Sequence, residues 1–354
     1  MNFQLDETQA AIAQLAHQVA GDHGGHERAR RVEAAGGVDR QAWSALGGTG
    51  LLAAVSAGEG GVLGATEVAS ALGREVVSLP AYALLTVLVL LGPGTCFDRQ
   101  RRERVLAGEE LVTLALFEEG ISRGSAVRAR VVDGRISGRK AVVPVAAESR
   151  AAIVAAQAAD GTGLFLVELD GPGVRVVPVR TTDRLSAAHL ELEGAQATPL
   201  GTGATVARAE QIAAVLTCAS VLGLGRQAVE AAASYVRERH QFGRPIASFQ
   251  SPVLRLADAH MDLEAMQVTL QEAAWQLDTG NDAAIAVSVA KWWMANGGHR
   301  TLHTAQHLHG GIGADIEYPA HRYFLRGKQL LDTLGGAAAH ASRLGAELAS
   351  GTRT

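Results

Sequence analysis

The chain has 354 residues, 47% of them hydrophobic, enough to bury a sizeable core and long enough for two or three domains. A net charge of −4 and a pI near 6.3 exclude a protein built to neutralise many phosphates, so no nucleic-acid partner is expected. Two cysteines, Cys96 and Cys218, are too few for a disulfide scaffold or a four-cysteine zinc site.

The opening Met1–Glu7 places acids where a secretory leader carries bases and an apolar run. That predicts a chain without a leader and a cytoplasmic location. Residues 1–110 read as a helical domain. Leu5, Ile12, Leu15, Ala16 and Val19 share one helical face, and Asp39 is placed to cap a helix through Trp43 and Leu46 that Gly47-Gly48 ends. After the glycine-rich Gly58–Gly64 comes a helix through Val68 and Leu72, then the apolar Ala81–Leu91 behind Pro80. That stretch falls well short of the ~20 residues that span a bilayer, so no membrane association is expected. The run Asp98–Arg104 mixes acids with its arginines and predicts a solvated helix face.

From 111 to 202 short β-rich runs alternate with turn signals such as Asp133-Gly134, Asp160-Gly161 and Gly171-Pro172-Gly173. With no long helices between them, an antiparallel sheet or barrel is expected. Residues 203–354 return to long helices, about Thr205–Arg239, Phe249–Asp278 and Asp282–His307. Leu254, Ala257, Met261, Leu263 and Leu270 are expected to pack in an antiparallel bundle, with Trp275, Trp292 and Trp293 anchoring that packing or a subunit interface. The fold class is α+β: N-terminal helices, a middle antiparallel β domain, a C-terminal helical bundle.

Two segments are specific. One runs Tyr235-Val-Arg-Glu-Arg239-His-Gln241-Phe242-Gly243-Arg-Pro-Ile246, continuing to Phe249-Gln250; the other runs His307-Leu-His309-Gly310-Gly311-Ile-Gly313, followed by Tyr318-Pro319 and His321-Arg322-Tyr323. Together, after a helix–sheet start, they resemble the acyl-CoA dehydrogenase family. The resemblance covers essentially the whole chain, including Phe3-Gln4-Leu5 and the Gly138-x-Lys140 turn. It implies α,β-desaturation of an acyl-CoA thioester: a glutamate removes the α-proton and FAD takes the β-hydride. It also implies a flavin lying between subunits, with electrons passed on to an electron-transfer flavoprotein.

Mapped residue by residue, the half that reaches a neighbour's FAD is present. Arg239 aligns with an arginine that pairs with cofactor phosphate, a geometry a guanidinium fork suits. Gln241 and Phe242 follow it, and Gly310 and Gly311 let backbone approach closely. His307 stands where the family usually has glutamine, with Gln306 adjacent.

The half that cups the flavin ring departs from the pattern. An Ala-Leu-Thr-Glu-Pro stretch is matched by Ala115-Leu116-Phe117-Glu118-Glu119, and a Lys-x-aromatic-Ile-hydroxyl stretch by Lys140-Ala141-Val142-Val143-Pro144. Valine stacks poorly, and proline offers neither hydroxyl nor N–H. The usual Glu-Gly-Thr falls on Gly335-Gly336-Ala337, and the alternative glutamate position, with its neighbouring arginine, on Ala213-Ala214. Asp332 and Glu210 are weak substitutes, since a displacement of several Å removes a base from its proton.

His299, His303 and His307 recur every four residues, but without an HExxH pattern no metal is expected. Gly223-x-Gly225 lies inside a helix and is a poor dinucleotide signature. The resemblance therefore points to the non-catalytic chain of a heteromeric dehydrogenase, similar to actinobacterial α2β2 assemblies, several of which act on steroid side-chain CoA esters. Its partners would be a catalytic dehydrogenase-like subunit and an acyl-CoA. The rival readings are a self-sufficient homo-oligomer with a relocated base, a flavin monooxygenase on the same fold, and a scaffold without cofactor.

Overall fold

The computed structural model describes residues 3–92, 97–118 and 127–349; Cys96 and Glu119 lie outside them. Seven helices come first: α1 (Glu7–His23), α2 (His26–Ala34), α3 (Arg40–Gly48), α4 (Leu51–Ala57), α5 (Gly61–Arg74), α6 (Ala81–Leu90) and α7 (Arg99–Leu106). A capping box starts α1: the Gln9 N–H donates to the Asp6 carboxylate at 2.8 Å, and the Asp6 N–H to Gln9 Oε1 at 3.0 Å. Two donors that a helix start leaves orphaned are thereby satisfied. Asp39 caps α3 through the Ala42 N–H, as its position before Trp43 predicts. The charged α7 is less solvated than its composition implies, because Arg101 reaches Glu110 and Glu168 and ties the helix to the sheet.

The sheet contains β1 (Val112–Ala115), β2 (Arg130–Val132), β3 (Arg135–Pro144), β4 (Ala151–Ala158), β5 (Gly161–Glu168), β6 (Val174–Val179), β7 (Ala187–Gln196) and β8 (Thr198–Gly201). Their order is β6-β7-β3-β2-β4-β5-β8, with β1 against β4. The antiparallel expectation is corrected: β1 and β4 run parallel, Val112 opposite Ala151, and β2 meets β4 in parallel at Arg130 and Gln157, so the sheet is mixed. A parallel pair needs a crossover of a dozen residues or more, which a helix usually supplies. Here the β2–β3 hairpin lies within it, so the lack of intervening helices does not dictate antiparallel pairing.

The chain then forms α8 (Gly203–Glu238), a small hairpin of β9 (His240–Gln241) and β10 (Arg244–Pro245), α9 (Gln250–Asp278), α10 (Ala284–His309), α11 (Ala320–Asp332) and α12 (Ala337–Ala349). Helix α8 is long and apolar enough to cross a bilayer, yet 89% of its apolar window is buried; it is the core helix. Polar and small residues spaced through it hide it from a search for unbroken apolar runs. It crosses α5 at close range. A Cβ on Gly223 would sit 2.0 Å from the Ser70 carbonyl oxygen, and one on Gly73 2.3 Å from that of Ser220. The Gly223 position is thus a helix-crossing contact.

Helix α9 splits the predicted packing face. Leu263 and Leu270 are buried, but Leu254 and Met261 are 53% and 63% exposed. At 3.6 residues per turn, positions 261 and 263 stand on opposite sides of a helix, so one face cannot hold both.

Candidate functional site

Helix α8 ends one residue before Arg239, whose backbone is extended and whose N–H donates to the Tyr235 carbonyl at 2.9 Å. The chain then turns through Phe242 and Gly243, both at positive φ, +55° and +79°. Two consecutive left-handed residues make the tight hairpin turn whose twist suits short strands; glycine adopts it freely, phenylalanine at a cost. The Phe242 ring is 92% exposed at the tip, edge-on to Phe249 at 6.1 Å. The Arg244 guanidinium lies 4.0 Å from the Phe249 ring centroid. Among the described residues no carboxylate pairs with Arg239. Gln241 is exposed and its amide donates to the His240 carbonyl. An aromatic ring held in an unfavourable backbone conformation and almost wholly in water is accessible to a ligand or a partner.

The second segment sits at the same end of the bundle. His309, the last residue of α10, is buried and stacks on Tyr235 at 4.9 Å between ring centroids, with Tyr318 at 5.4 Å. This stack joins the end of α8, four residues before Arg239, to the end of α10, one residue before Gly310. His309 Nδ1 contacts the Ala305 carbonyl oxygen at 2.7 Å, and burial holds the imidazole below its ordinary pKa. Gly310 has φ +63° and ψ −142°, a region that essentially only glycine occupies. Gly310 and Gly311 are exposed, with nothing near where a Cβ would stand. His307 is exposed and faces a groove of about 680 Å³ between α9 and α10, with Arg255, Asp258, His299 and His303. Gln306 instead turns inward against the Gly313 turn. His309, part of the second segment, is given no role by the sequence; the signal for its stack lies in the aromatic residues of the two segments.

The positions where a flavin ring and a base are expected are differently furnished. Lys140 is fully buried and donates to Glu118 at 2.6 Å; Glu118 also accepts from the Arg128 and Ala129 N–H groups. Burial works to raise this carboxyl, but Lys140 and the two backbone donors outweigh it and hold it below the ordinary value. Between Lys140 and Val143 the strand bulges and places Val142 at φ +48°, its side chain partly exposed. Its N–H donates to His189 Nδ1 at 3.3 Å. Pro144 accepts from the Thr113 hydroxyl through its carbonyl. Phe117 is half-buried, with its carbonyl accepting from the Ala141 N–H.

Gly335 has φ +92°, and a Cβ there would meet Ala339 Cβ and His340 Nε2, both at 3.3 Å. The turn holding it is pinned: fully buried Lys291 donates to the Thr333 carbonyl at 2.7 Å, and His340 Nε2 lies 3.0 Å from the Leu334 carbonyl oxygen. Asp332 is exposed and lies against Gly336. Glu210, in the first turns of α8, acts electrostatically on Lys140. Ala213 and Ala214 are wholly buried. Between α5, α6, α8 and α11 is a cavity of about 40 Å³, lined by Tyr82, Asp183, Ser220, Arg326 and apolar side chains. That volume holds a water or two. Arg326 donates to the Val76 and Val77 carbonyls and to Ser78; burial pulls its guanidinium down to about 10.

Residues 201–347 match the family model described as acyl-CoA dehydrogenase, C-terminal domain. The acyl-CoA dehydrogenase FadE27 of Mycobacterium tuberculosis is 34% identical over 342 residues, covering 88% of each chain. FadE28 of the same organism is 30% identical over 281 residues, covering 77% of this chain and 81% of FadE28. Among solved structures, the Tcur3481-Tcur3483 steroid ACAD superposes with a TM-score of 0.92 at 37% identity, over 99% of this chain and 100% of that one. The ChsE4-ChsE5 complex from Mycobacterium tuberculosis follows at 0.89 and 30%, over 100% of both chains.

Proposed function

Since the chain belongs to the acyl-CoA dehydrogenase family, whose enzymes use FAD, we propose that it is the non-catalytic subunit of a heteromeric acyl-CoA dehydrogenase. In this reading Arg239, Gln241, Phe242, His307, Gly310 and Gly311 hold the nucleotide tail of FAD whose ring and base reside on a catalytic partner chain. FAD, when bound, supplies the acceptor for the substrate's β-hydride.

The observation that carries the proposal is the state of Gly335. No carboxylate stands there or at Ala213, and the left-handed backbone disfavours any side chain. The chemistry of the other half fits the cofactor: an arginine without a partner among the described residues suits a pyrophosphate, the bare Phe242 ring suits an apolar contact, and the Gly310-Gly311 backbone has nothing in front of it. The presence of heteromers among the structural relatives, one of them a steroid ACAD, supports a paired assembly and a bulky acyl-CoA such as a steroid side-chain ester. An electron-transfer flavoprotein as acceptor and a cytoplasmic location complete the proposal.

The test is flavin absorbance, mass and acyl-CoA-dependent dye reduction for this chain alone and co-expressed with a dehydrogenase-like chain of the same genome that carries the active-site glutamate. Flavin and turnover are expected only from the pair. Stoichiometric flavin with turnover in the lone chain refutes the reading and restores the self-sufficient or monooxygenase alternatives.

A further inference from the structure

Another cleft lies where α2, the β6–β7 connection and the segment before α11 meet. It encloses about 670 Å³, and it contains none of the residues of the cofactor reading and none at the expected ring or base positions. Part of its lining is apolar, at Ala34, Pro178, Val179, Leu185 and Ile316, the last 59% exposed. A concave site of this size, with apolar walls and a few charged groups, suits a small organic ligand.

Charge decides which ligand. Four guanidiniums, Arg30, Arg180, Arg184 and Arg322, share the lining with three carboxylates, Glu33, Glu148 and Glu317. Arg30 pairs with Glu317. Buried Arg322 takes Glu33 in a two-pronged pair at 3.0 and 2.9 Å. Arg184 stands 3.7 Å from that same carboxylate, so its partner is a shared one. Arg180 is exposed and has no hydrogen bond or ion pair among the described residues. Glu148 accepts the Ser186 hydroxyl at 2.7 Å and is the one lining acid without a guanidinium among the described residues. Behind the wall Arg326 faces Asp183 as well as Glu33, so those two offset one another. Two under-used guanidiniums against one acid leave the cleft positive. Arg184 is also held at φ +59°, and a Cβ on Gly37 would lie 2.7 Å from its carbonyl oxygen. A strained residue locked in place by its neighbours points to a functional use.

We propose that this cleft binds a small organic anion, its phosphate or carboxylate head on Arg180 and Arg184 and its compact apolar body against Val179, Leu185 and Ile316. Guanidinium forks match either head. The site is separate from the FAD reading and does not depend on it. Helix α2, the β6–β7 connection and the segment before α11 belong to the N-terminal helices, the sheet and the C-terminal helices. One bound anion therefore fastens all three parts together.

The experiment titrates the full-length chain with naphthyl phosphate, naphthoate, neutral naphthol and inorganic phosphate, read by calorimetry and by thermal melting. Naphthyl phosphate or naphthoate is expected to bind in a single equivalent and to raise the melting temperature. Naphthol, which lacks the charge, and inorganic phosphate, which lacks the apolar body, are each expected to bind at least about tenfold more weakly. A preference between the two organic anions identifies the head. Arg180→Ala and Ile316→Asp, both at exposed side chains, are each expected to weaken binding at least about tenfold. Neither is expected to lower the melting temperature of the unliganded chain. Higher salt should weaken the wild type more than Arg180→Ala. The proposal is overturned if neither organic anion binds, if naphthol or inorganic phosphate binds as tightly, or if both variants keep wild-type affinity. None of these results bears on the FAD reading.

Discussion

Arg239→Ala in the co-purified pair isolates the cofactor half of the proposal. The guanidinium is exposed at the end of α8, and no carboxylate among the described residues holds it. Its removal is therefore expected to change folding stability by no more than about 0.5 kcal/mol. A hydrogen bond to a charged group contributes about 1.5–3 kcal/mol. With about 1.4 kcal/mol per decade, the dissociation constant for FAD should rise by roughly ten- to a hundredfold. Arg239→Lys keeps the charge but not the two-pronged fork, and an intermediate loss is expected. The assay is flavin absorbance per complex after gel filtration, then fluorescence titration of the stripped pair with FAD, with melting of the apo pair as control. Undiminished FAD affinity in the alanine variant of a flavin-bearing complex would refute the assignment of this hairpin to the cofactor.

Gly335→Glu, tested in the lone chain, is expected to leave desaturation absent and to cost about 1–2 kcal/mol for the left-handed backbone, read by urea titration. Glu33→Gln should destabilise by about 3–5 kcal/mol, because this buried carboxylate pairs with Arg322 at 2.9 Å and stands 3.8 Å from Arg326; thermal melting measures it. Gly223→Ala forces a methyl onto the Ser70 carbonyl and should cost about 1–3 kcal/mol or more, visible as a lower melting temperature. Burial holds His309 and His321 below the ordinary value of 6.5. Each stays neutral in the fold while the unfolded chain takes up protons, so stability present above pH 6.5 is lost as the pH falls below it. Denaturant titrations at pH 7.5 and 5.5 should show this loss, and His309→Gln should reduce the difference between them.

Much of this architecture is written locally. The Asp6 and Asp39 caps and the Asp133-Gly134, Asp160-Gly161 and Gly171-Pro172-Gly173 turns are each decided by neighbours a few residues apart and form where their patterns place them, whereas the expected Gly138-x-Lys140 turn lies within β3, where strand pairing with β7 overrides the glycine. What escapes is decided at a distance. The parallel β1–β4 pair depends on what a crossover contains, and local turn signals do not report that. Leu254 and Met261 carry the same hydrophobicity as Leu263, yet only the last packs inward; which face of α9 is covered depends on α8 and α10. The segments around Arg239 and Gly310 are legible because their residue types are unusual together, whereas His309 was missed because a buried aromatic contact leaves no signature beyond the rings themselves. The tight surroundings of Gly335 come from Ala339 and His340 in the following helix, which spacing alone does not show.

The glycine seam between α5 and α8 has a consequence for how the polypeptide is made. Gly73 packs on Ser220, a residue near the middle of α8, and the face of α5 that meets it has no cover until that helix has left the ribosome. The first bundle therefore waits, partly bare, while the whole sheet is synthesised, and a fragment ending before α8 would keep that apolar face open to aggregation. Vectorial folding of this chain closes from its far end backwards, with α8 as the late keystone.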